Sequence, residues 1–262
     1  MTKITIFGGD ARMRTAYEQL KEMGYAVDSL GLYENDCADC TDSKVFLLPV
    51  PATRDRRTIC TPLTSKIIPL SYIEQTAGDR LVLSGVYKPQ VKNCINYCET
   101  DGYAIKNAVP TAEGAIAIAI EKTDFTLFGS RVLVIGYGRT GRVLCDRLKG
   151  LGCIVTAAAR KDEALALAQA LGLNTIHTKD ISKNIGTFDI IFNTADAPLL
   201  QNCKTDALII DLSTTGCIDE TLVSTDNYNY CKAPSLPGKT APRSAGIILA
   251  QTISQIIEQH IK

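Results

Sequence analysis

The sequence has no excess of charge of either sign, because its 28 Lys and Arg residues are matched by 28 Asp and Glu residues. A balanced chain has no basic excess that would favour binding to the phosphates of a nucleic acid, so we expect no nucleic-acid partner. No apolar run approaches the roughly 18 residues that indicate a membrane-spanning helix, and we expect no membrane association. The N-terminal stretch MTKITIFGG lacks the basic, apolar and small-residue regions of a secretory signal, which predicts a cytoplasmic protein.

A second C-x-x-C pair is also missing. The chain has ten cysteines, and Cys37 and Cys40 have the C-x-x-C spacing. A cysteine zinc site of this type is usually completed by a second such pair. We therefore predict no metal site and interpret Cys37 and Cys40 as free thiols of a solvent-exposed loop. Cysteines inside apolar patterns, such as Cys145, Cys153 and Cys203, are typical of reduced, small apolar residues in a cytosolic chain.

What the chain does contain is the sequence RVLVIGYGRTG at residues 131–141. An apolar run rich in Val and Ile predicts a buried strand, and the residues after the glycines have helical spacing. The pattern G-x-G-x-x-G between a strand and a helix is typical of a dinucleotide site. Gly136 is expected to make the tight turn, Gly138 to let the backbone approach a pyrophosphate, and Gly141 to let helix and strand pack closely. The helix N-terminus then offers N–H groups to the phosphates.

The next predicted strand, residues 153–160, ends without a carboxylate. An Asp or Glu at this point usually binds the ribose 2′-hydroxyl of NAD, whereas this chain has Ala159 followed by Arg160 and Lys161. Two cations favour the 2′-phosphate of NADP, although they are also compatible with the start of a solvated helix. Polar residues that follow two later strands complete the prediction. The predicted cofactor-binding residues are Gly136, Tyr137, Gly138, Arg139, Thr140, Gly141, Arg160, Lys161, Asn193, Thr194, Ala195, Leu212 and Ser213.

Strands and helices alternate on both sides of this motif, which predicts an α/β fold of two Rossmann-like, doubly wound parallel-sheet domains. We expect an N-terminal α/β domain over residues 1–123, with residues 240–262 packing back on it as a C-terminal helix. Residues 124–239 are expected to form the NADP-binding domain. The N-terminal domain is the expected substrate and partner domain.

A crossing helix is expected to join the two domains. It is predicted to begin with Pro110 near its first position and to be buried on nearly all sides, because residues 115–120 alternate Ala and Ile. Just before it, residues 88–98 predict a helix and residues 103–107 predict a strand.

Six segments carry a resemblance to a known family: GGDARM (8–13), LPVPATRD (48–55), NAVPTAEGAIAIAI (107–120), TDFTLFGS (123–130), IGYGRTG (135–141) and APSLPGKTAPRSAGIILA (233–250). On these segments the chain resembles the family of dipicolinate synthase A subunits over nearly its full length. The resemblance implies NADP and oxidation of a dihydrodipicolinate-type intermediate of the lysine pathway to dipicolinate, pyridine-2,6-dicarboxylate. It also implies sporulation, in the mother cell of a spore-forming bacterium, and a partner, the flavoprotein-like B subunit of dipicolinate synthase.

A dicarboxylate substrate needs cations, hydroxyl groups or N–H groups at the ends of strands. The predicted substrate-binding residues are Arg14, Thr53, Arg54, Ser84, Gly85, Thr111 and Arg243, and Arg12 is a further cation in the same region. The catalytic candidates are Glu113, as a proton acceptor, and Lys239. Glu113 is equally compatible with an ordinary first-turn Glu that the helix dipole favours.

Two other functions remain open. A 2-hydroxyacid dehydrogenase shares the two-domain plan, but such enzymes typically use a histidine as acid and base. Only His177 and His260 are present, and neither follows a predicted strand end that would line a site. A non-catalytic, NADPH-binding regulatory module is the second alternative, and nothing in the sequence excludes it. We also expect a homo-oligomer.

Overall fold

The structure, a computed structural model, describes residues 1–200, 203–218 and 229–261. It contains two compact units, one formed by residues 1–107 with residues 240–262 and the other by residues 108–239. Each unit has a parallel β-sheet with helices, so the predicted two-domain α/β fold is confirmed. Across the described part of the chain, no helix has the length and apolar character required to span a membrane.

The strands in the described residues run in parallel in both sheets. In the N-terminal unit they are β1 Lys3–Phe7, β2 Ala26–Leu30, β3 Val45–Leu47, β4 Leu81–Ser84 and β5 Cys94–Asn96. In the C-terminal unit they are β6 Arg131–Ile135, β7 Ile154–Ala159, β8 Asn174–His177, β9 Ile190–Asn193, β10 Leu208–Asp211 and β11 Tyr230–Lys232.

The helices found in the same residues are α1 Ala11–Glu22, α2 Leu70–Thr76, α3 Asp101–Lys122, α4 Arg139–Gly150, α5 Asp162–Ala170, α6 Ile181–Asn184, α7 Leu236–Thr240 and α8 Pro242–His260. Short 3-10 turns cover Tyr97–Glu99, Thr178–Asp180 and Ile185–Thr187. Helix α3 contributes residues to both units.

The two sheets have different strand orders. The N-terminal sheet is ordered β2-β1-β3-β4-β5, which is the flavodoxin-like order with its switch point between β1 and β3. The C-terminal sheet is ordered β11-β10-β9-β6-β7-β8, which is the order of dinucleotide-binding sheets, and here the direction reverses between β6 and β9. Ligands of such sheets bind at the carboxyl ends of the strands, so these two edges are where sites are expected.

The N-terminal unit is closed by packing of α8 on α1. Asp10 caps α1, since its carboxylate accepts a hydrogen bond of 3.0 Å from the Arg12 N–H. Helix α8 approaches so closely that a Cβ at Gly246 would lie 2.5 Å from the Arg12 carbonyl oxygen. Apolar residues of α8, including Leu249 and Ile253, are buried in the same core as the β1 side chains. The expected return of the C-terminal helix is therefore confirmed.

Several predictions around α3 are wrong. Residues 88–98 form turns, β5 and part of a 3-10 turn rather than a helix, and residues 103–107 form the first turns of α3 rather than a strand. Tyr103 is buried and Asn107 is half-buried, while Ile105 and Lys106 between them are exposed, and this spacing of four residues is helical rather than alternating. Pro110 consequently lies inside the helix, ten residues along it, and not at its start.

The expectation that this helix is buried on all sides is also wrong. Ala112, Ala115 and Ala119 face the core, but Ile120 is 59% exposed and Ala117 is exposed as well. Composition alone therefore overstated the burial, because exposed Ala and Ile are tolerated on one face of a helix. The prediction of a solvent-exposed loop is also wrong for Cys40, which is buried in the same core as Phe46 of β3. Cys37 is exposed, as predicted.

Candidate functional site

The glycine turn that follows β6 has the geometry expected of a dinucleotide loop. Gly136 has a φ of +95°, and a Cβ there would lie 2.6 Å from the Thr194 hydroxyl oxygen. A Cβ at Gly141 would overlap the Gly136 carbonyl oxygen, because α4 packs directly on the turn. Any side chain at either position would push helix and strand apart.

Gly138 differs from its two neighbours in the motif. It is the N-cap of α4, and a Cβ built on it would meet no atom within 4 Å. The space beside Gly138 is therefore open, and Gly138 provides no side-chain cap to the first N–H groups of the twelve-residue helix that begins there. A glycine, which has no side chain, followed by a helix N-terminus is a combination that suits a diphosphate group.

A cavity of about 370 Å³ opens beside the turn, at the carboxyl ends of β6, β7 and β9. Its lining is formed by Gly136, Tyr137, Ala159, Arg160, Lys161, Ala164, Thr178, Ala195, Asp196, Ala197 and Leu199. Arg160 and Lys161 are both exposed, and neither makes an ion pair with another described residue. Asp196 adds a carboxylate, but its oxygen accepts the N–H of Thr214 at 2.6 Å. The cavity thus combines an apolar floor with two available cations.

Three predicted cofactor residues, Thr194, Asn193 and Ser213, make hydrogen bonds that stabilise the strand ends next to the glycine turn. The Thr194 hydroxyl donates to the Ile135 carbonyl at 3.0 Å, and the Asn193 amide donates to the Ala195 carbonyl at 3.0 Å. The Ser213 hydroxyl donates to Asp211 at 2.6 Å, and Leu212 packs on the core. Arg139 and Thr140 begin α4.

Asp211, at the end of β10, is a polar centre that the sequence analysis missed. Its carboxylate is fully buried and accepts from Asn193 Nδ2 (2.9 Å), the Ser213 hydroxyl, the Cys217 N–H (2.8 Å) and the Tyr230 hydroxyl (2.7 Å). The Lys232 ammonium lies 3.4 Å away. Burial alone would raise the pKa of Asp211, but hydrogen bonds from Ser213, Asn193 and Tyr230 hold it well below its usual range. Asp211 thereby fixes the ends of β9, β10 and β11 as one rigid edge.

The carboxyl edge of the N-terminal sheet brings together four of the predicted substrate residues. Thr53 is buried, and its hydroxyl donates to Asp55 at 3.0 Å. The Gly85 carbonyl accepts the Ala52 N–H at 2.9 Å, which joins the segment after β3 to the segment after β4. The Ser84 hydroxyl donates to the Tyr87 carbonyl. Arg54, next to Thr53, is exposed at this edge.

The arginines that follow β1 are engaged by neighbouring groups. Arg12 is 5% exposed, and its guanidinium binds Asp10 at 2.7 Å and the Val50 carbonyl at 2.6 Å. Arg14 donates to the Leu32 carbonyl at 3.2 Å and lies 4.9 Å from the centre of the Tyr33 ring. Arg14 is therefore held at the end of β2, on the other side of β1 from the segment after β3 that carries Thr53 and Arg54.

The remaining predicted residues are distributed over both units. Glu113 is exposed and Thr111 half-buried on α3, and Lys239 is exposed on α7, all within the C-terminal unit. Arg243 is exposed in the first turn of α8, in the N-terminal unit. Roles for these residues remain predictions.

A larger cavity, of about 710 Å³, lies at the opposite edge of the N-terminal sheet, where β3, β4 and β5 begin. Its most buried cation is Arg80, which donates to the carbonyls of Ser43 (2.8 Å) and Thr41 (2.7 Å). Lys92 is paired with Asp79 at 2.8 Å. Size alone does not make this cavity the site, because it lies at the amino ends of the strands, whereas open α/β sheets bind ligands at the carboxyl ends.

Comparison with known proteins finds similarity over nearly the whole chain. Residues 3–103 match the family model of the N-terminal domain of the dipicolinate synthase A subunit. Over 98% of its length the chain is 29% identical to the dipicolinate synthase A subunit of Bacillus subtilis (strain 168), of which 96% is covered. The crystal structure of the dipicolinate synthase A subunit from Bacillus halodurans has a TM-score of 0.89 at 26% identity, over 98% of this chain and 97% of that one.

The chain is similar to the dipicolinate synthase A subunits over nearly its whole length. The resemblance predicted from the sequence is therefore confirmed. The apo-structure of D-lactate dehydrogenase from Escherichia coli has a TM-score of 0.59 at 14% identity and covers 98% of both chains, a likeness that shows the fold alone.

Proposed function

We propose that this chain binds NADP and oxidises a dihydrodipicolinate-type intermediate to dipicolinate. The observation that carries the cofactor assignment is the cavity in which the glycine turn, Arg160 and Lys161 meet without a carboxylate at position 159. The substrate assignment is supported by similarity to the dipicolinate synthase A subunit over nearly the whole chain. The reaction removes a hydride and a proton from a dihydropyridine ring, which thereby becomes aromatic.

The cofactor half of the proposal assigns one task to each group in or next to the cavity. The nicotinamide group, when bound, supplies the hydride acceptor. The open backbone at Gly138 and the N-terminus of α4 would hold the diphosphate. Arg160 and Lys161 would bind the 2′-phosphate through charge-assisted hydrogen bonds. Asp211 and Asn193 would keep the strand ends rigid, so that the loop needs no reorganisation on binding.

The substrate half rests on the cations predicted from the sequence. Arg14, Arg54 and Arg243 would bind carboxylates, with Thr111 as a hydroxyl donor. Thr53, Ser84 and Gly85 are tied into the protein, so we assign them the support of the edge that carries Arg54. Glu113 and Lys239 are the proposed proton-transfer groups, since each is exposed and carries an ionisable side chain.

A second subunit is part of the proposal, because the relatives are named as one subunit of dipicolinate synthase. We infer that a flavoprotein-like B subunit, the partner that the resemblance implies, completes or closes the site. General acid–base catalysis typically contributes about 10²–10⁴-fold, so adding the partner should raise the rate by at least about tenfold.

The test is dipicolinate formation from freshly generated lysine-pathway intermediate, with NADP and with or without the B subunit. We expect one NADPH per dipicolinate, followed by absorbance and by chromatography of the product. Tight NADP binding without turnover, even with the partner, would instead favour the regulatory module. Full turnover by the chain alone, unchanged by the partner, would place the acid and base within this chain.

A further inference from the structure

The turn after β4 has an unusual backbone at Val86. This residue has a φ of +71°, in the left-handed region that β-branched residues rarely enter. The Tyr87 N–H donates to the Gly85 carbonyl at 2.9 Å, which makes Val86 the central residue of a γ-turn with positive φ, the rarer and more strained of its two forms.

The surrounding groups hold this strained turn in place. Asn96, itself buried, accepts the Val86 N–H on Oδ1 at 3.1 Å and donates from Nδ2 to the Val86 carbonyl at 3.2 Å. A Cβ at Gly85 would lie 2.5 Å from both the Pro49 carbonyl oxygen and the Tyr97 hydroxyl. The turn is therefore fixed on both sides of Val86, and the strain is maintained rather than relaxed.

The fold gains little from a valine at this position. Its side chain is 63% exposed, so it adds little to the core. Glycine would adopt the same φ without steric cost. Val86 is strained, exposed and apolar, and two hydrogen bonds hold it in this conformation. Contact of its side chain with a ligand explains a valine at this position better than packing does.

Val86 lies at the carboxyl edge of the N-terminal sheet, where open α/β sheets bind their ligands. The Ala52–Gly85 hydrogen bond joins its turn to the segment that carries exposed Arg54. This edge thus presents an apolar group and a cation on two linked, rigid segments. That combination suits a flat ring that carries carboxylates better than a flexible, acyclic dicarboxylate.

We propose that Val86 is a specificity-determining residue, whose isopropyl group packs on the ring of the dicarboxylate while Arg54 binds a carboxylate. This inference rests on the proposed function, because it names the part of that substrate which the N-terminal unit recognises. Ring contact at Val86 distinguishes the cyclic substrate from open-chain acids that have the same spacing of carboxylates.

The experiment compares Val86→Gly and Val86→Ala with the unaltered chain. Calorimetric titration with pyridine-2,6-dicarboxylate and with glutarate, both in the presence of NADP, measures ring recognition. Denaturant unfolding measures stability. Ser235→Gly is the matched backbone control, since Ser235 also has a positive φ (61°) but lies in the C-terminal unit. Ile105→Ala controls for loss of an exposed apolar side chain.

Both Val86 variants should raise the Kd for pyridine-2,6-dicarboxylate by about tenfold or more, since Val86→Ala removes two methyl groups that the bound ring would cover and Val86→Gly removes the whole isopropyl group. Glutarate binding should be nearly unchanged. Val86→Gly should be as stable as the unaltered chain or more stable, because it removes the strain. Neither control variant should alter the Kd of either acid.

Unchanged ring binding in both Val86 variants would overturn the inference, as would a loss of stability in Val86→Gly with no change in Kd. If the unaltered chain binds pyridine-2,6-dicarboxylate but does not oxidise the intermediate, the proposed reaction is wrong, and the Kd values of the Val86 variants still test the role of Val86. If it binds neither acid, both proposals are wrong.

Discussion

At the scale of single residues, the two exposed cations after β7, Arg160 and Lys161, are the proposed determinants of which nicotinamide cofactor binds. Charge-assisted hydrogen bonds contribute about 1.5–3 kcal/mol, so Arg160→Ala should weaken NADP binding by about tenfold or more. NAD lacks the 2′-phosphate, and its Kd should change little. Fluorescence titration with both cofactors measures the two constants.

Arg147→Ala serves as the control for this prediction, because Arg147 is an exposed cation of the same unit on the far part of α4. It should leave both Kd values unchanged. An equal loss of NAD and NADP affinity in Arg160→Ala would show that Arg160 acts on a part of the cofactor that the two share.

Asp36 makes the N-terminal unit sensitive to acid. Burial alone would raise its pKa, but hydrogen bonds from Lys66 and from the N–H groups of Tyr33, Gly31 and Leu32 lower it to about 2. A lowered pKa stabilises the fold fully above the unfolded value of about 3.9, and this contribution is lost as the pH falls towards 2. Asp36→Asn should therefore cost about 2 kcal/mol at pH 7 and much less near pH 2.

Urea unfolding at several pH values between 2 and 7 tests this prediction. Glu18→Gln, an exposed carboxylate of the same unit, is the control and should have little effect at any pH. A loss of stability in Asp36→Asn that is the same at pH 2 and pH 7 would contradict the electrostatic explanation and indicate a purely steric one.

At the scale of elements, the contact between α1 and α8 leaves no room for a methyl group. A Cβ at Gly246 would lie 2.5 Å from the Arg12 carbonyl oxygen and 2.5 Å from Thr15 Cβ. Gly246→Ala should thus destabilise the N-terminal unit by about 1–3 kcal/mol, the usual cost of overpacking. Thermal unfolding measures the loss.

Gly102→Ala is the matched control, since Gly102 lies in the first turn of α3 and a Cβ there would meet no atom within 4 Å. Alanine favours helix over glycine, so this variant should be slightly more stable. If both variants changed stability in the same direction, helix propensity rather than packing between the helices would explain Gly246.

The elements that were predicted well are those with strong local signals. Strand β6, the glycine turn and α4 follow from an apolar run, three glycines and helical spacing, all within about twenty residues. The start of α3 was predicted wrongly because a proline usually marks the first turn of a helix. Helix α3 instead begins at Asp101 and continues through Pro110. The tertiary packing that buries Tyr103 and leaves Ile105 exposed is not visible in the local pattern.

The candidate site was predictable to the same extent. Arg160 could be found from sequence because it follows the glycine motif at a characteristic distance, on the next strand. Asp211 could not, because its partners come from β9 and β11 and meet it only when the strand order is known. The positive φ of Val86 was likewise hidden, since a valine between Gly85 and Tyr87 gives no sign of it.

At the scale of the whole molecule, each unit has its own hydrophobic cores. Among the described residues, the cores around β1 and β3 share no member with those around β6 and β9. A ligand that binds only the folded C-terminal unit should therefore stabilise that unit. At 100 times its Kd, NADP should add about 2.7 kcal/mol.

Hydrogen exchange followed by mass spectrometry tests this prediction. Saturating NADP should slow exchange in β6 and β9 much more than in β1 and β3. NAD at the same concentration, as the control, should protect these strands less, because its proposed affinity is lower. Equal protection of both units would show that they unfold together.

The chain leaves the N-terminal unit after residue 107 and returns to it at residue 240. During synthesis, β1 to β5 therefore leave the ribosome long before α8, which covers α1 and buries Leu249 and Ile253 against it. The C-terminal unit is continuous in sequence and has all its strands before α8 is made, so it is able to fold first. Until the last twenty or so residues emerge, the apolar face of α1 is uncovered, and a nascent chain that pauses there would depend on chaperones.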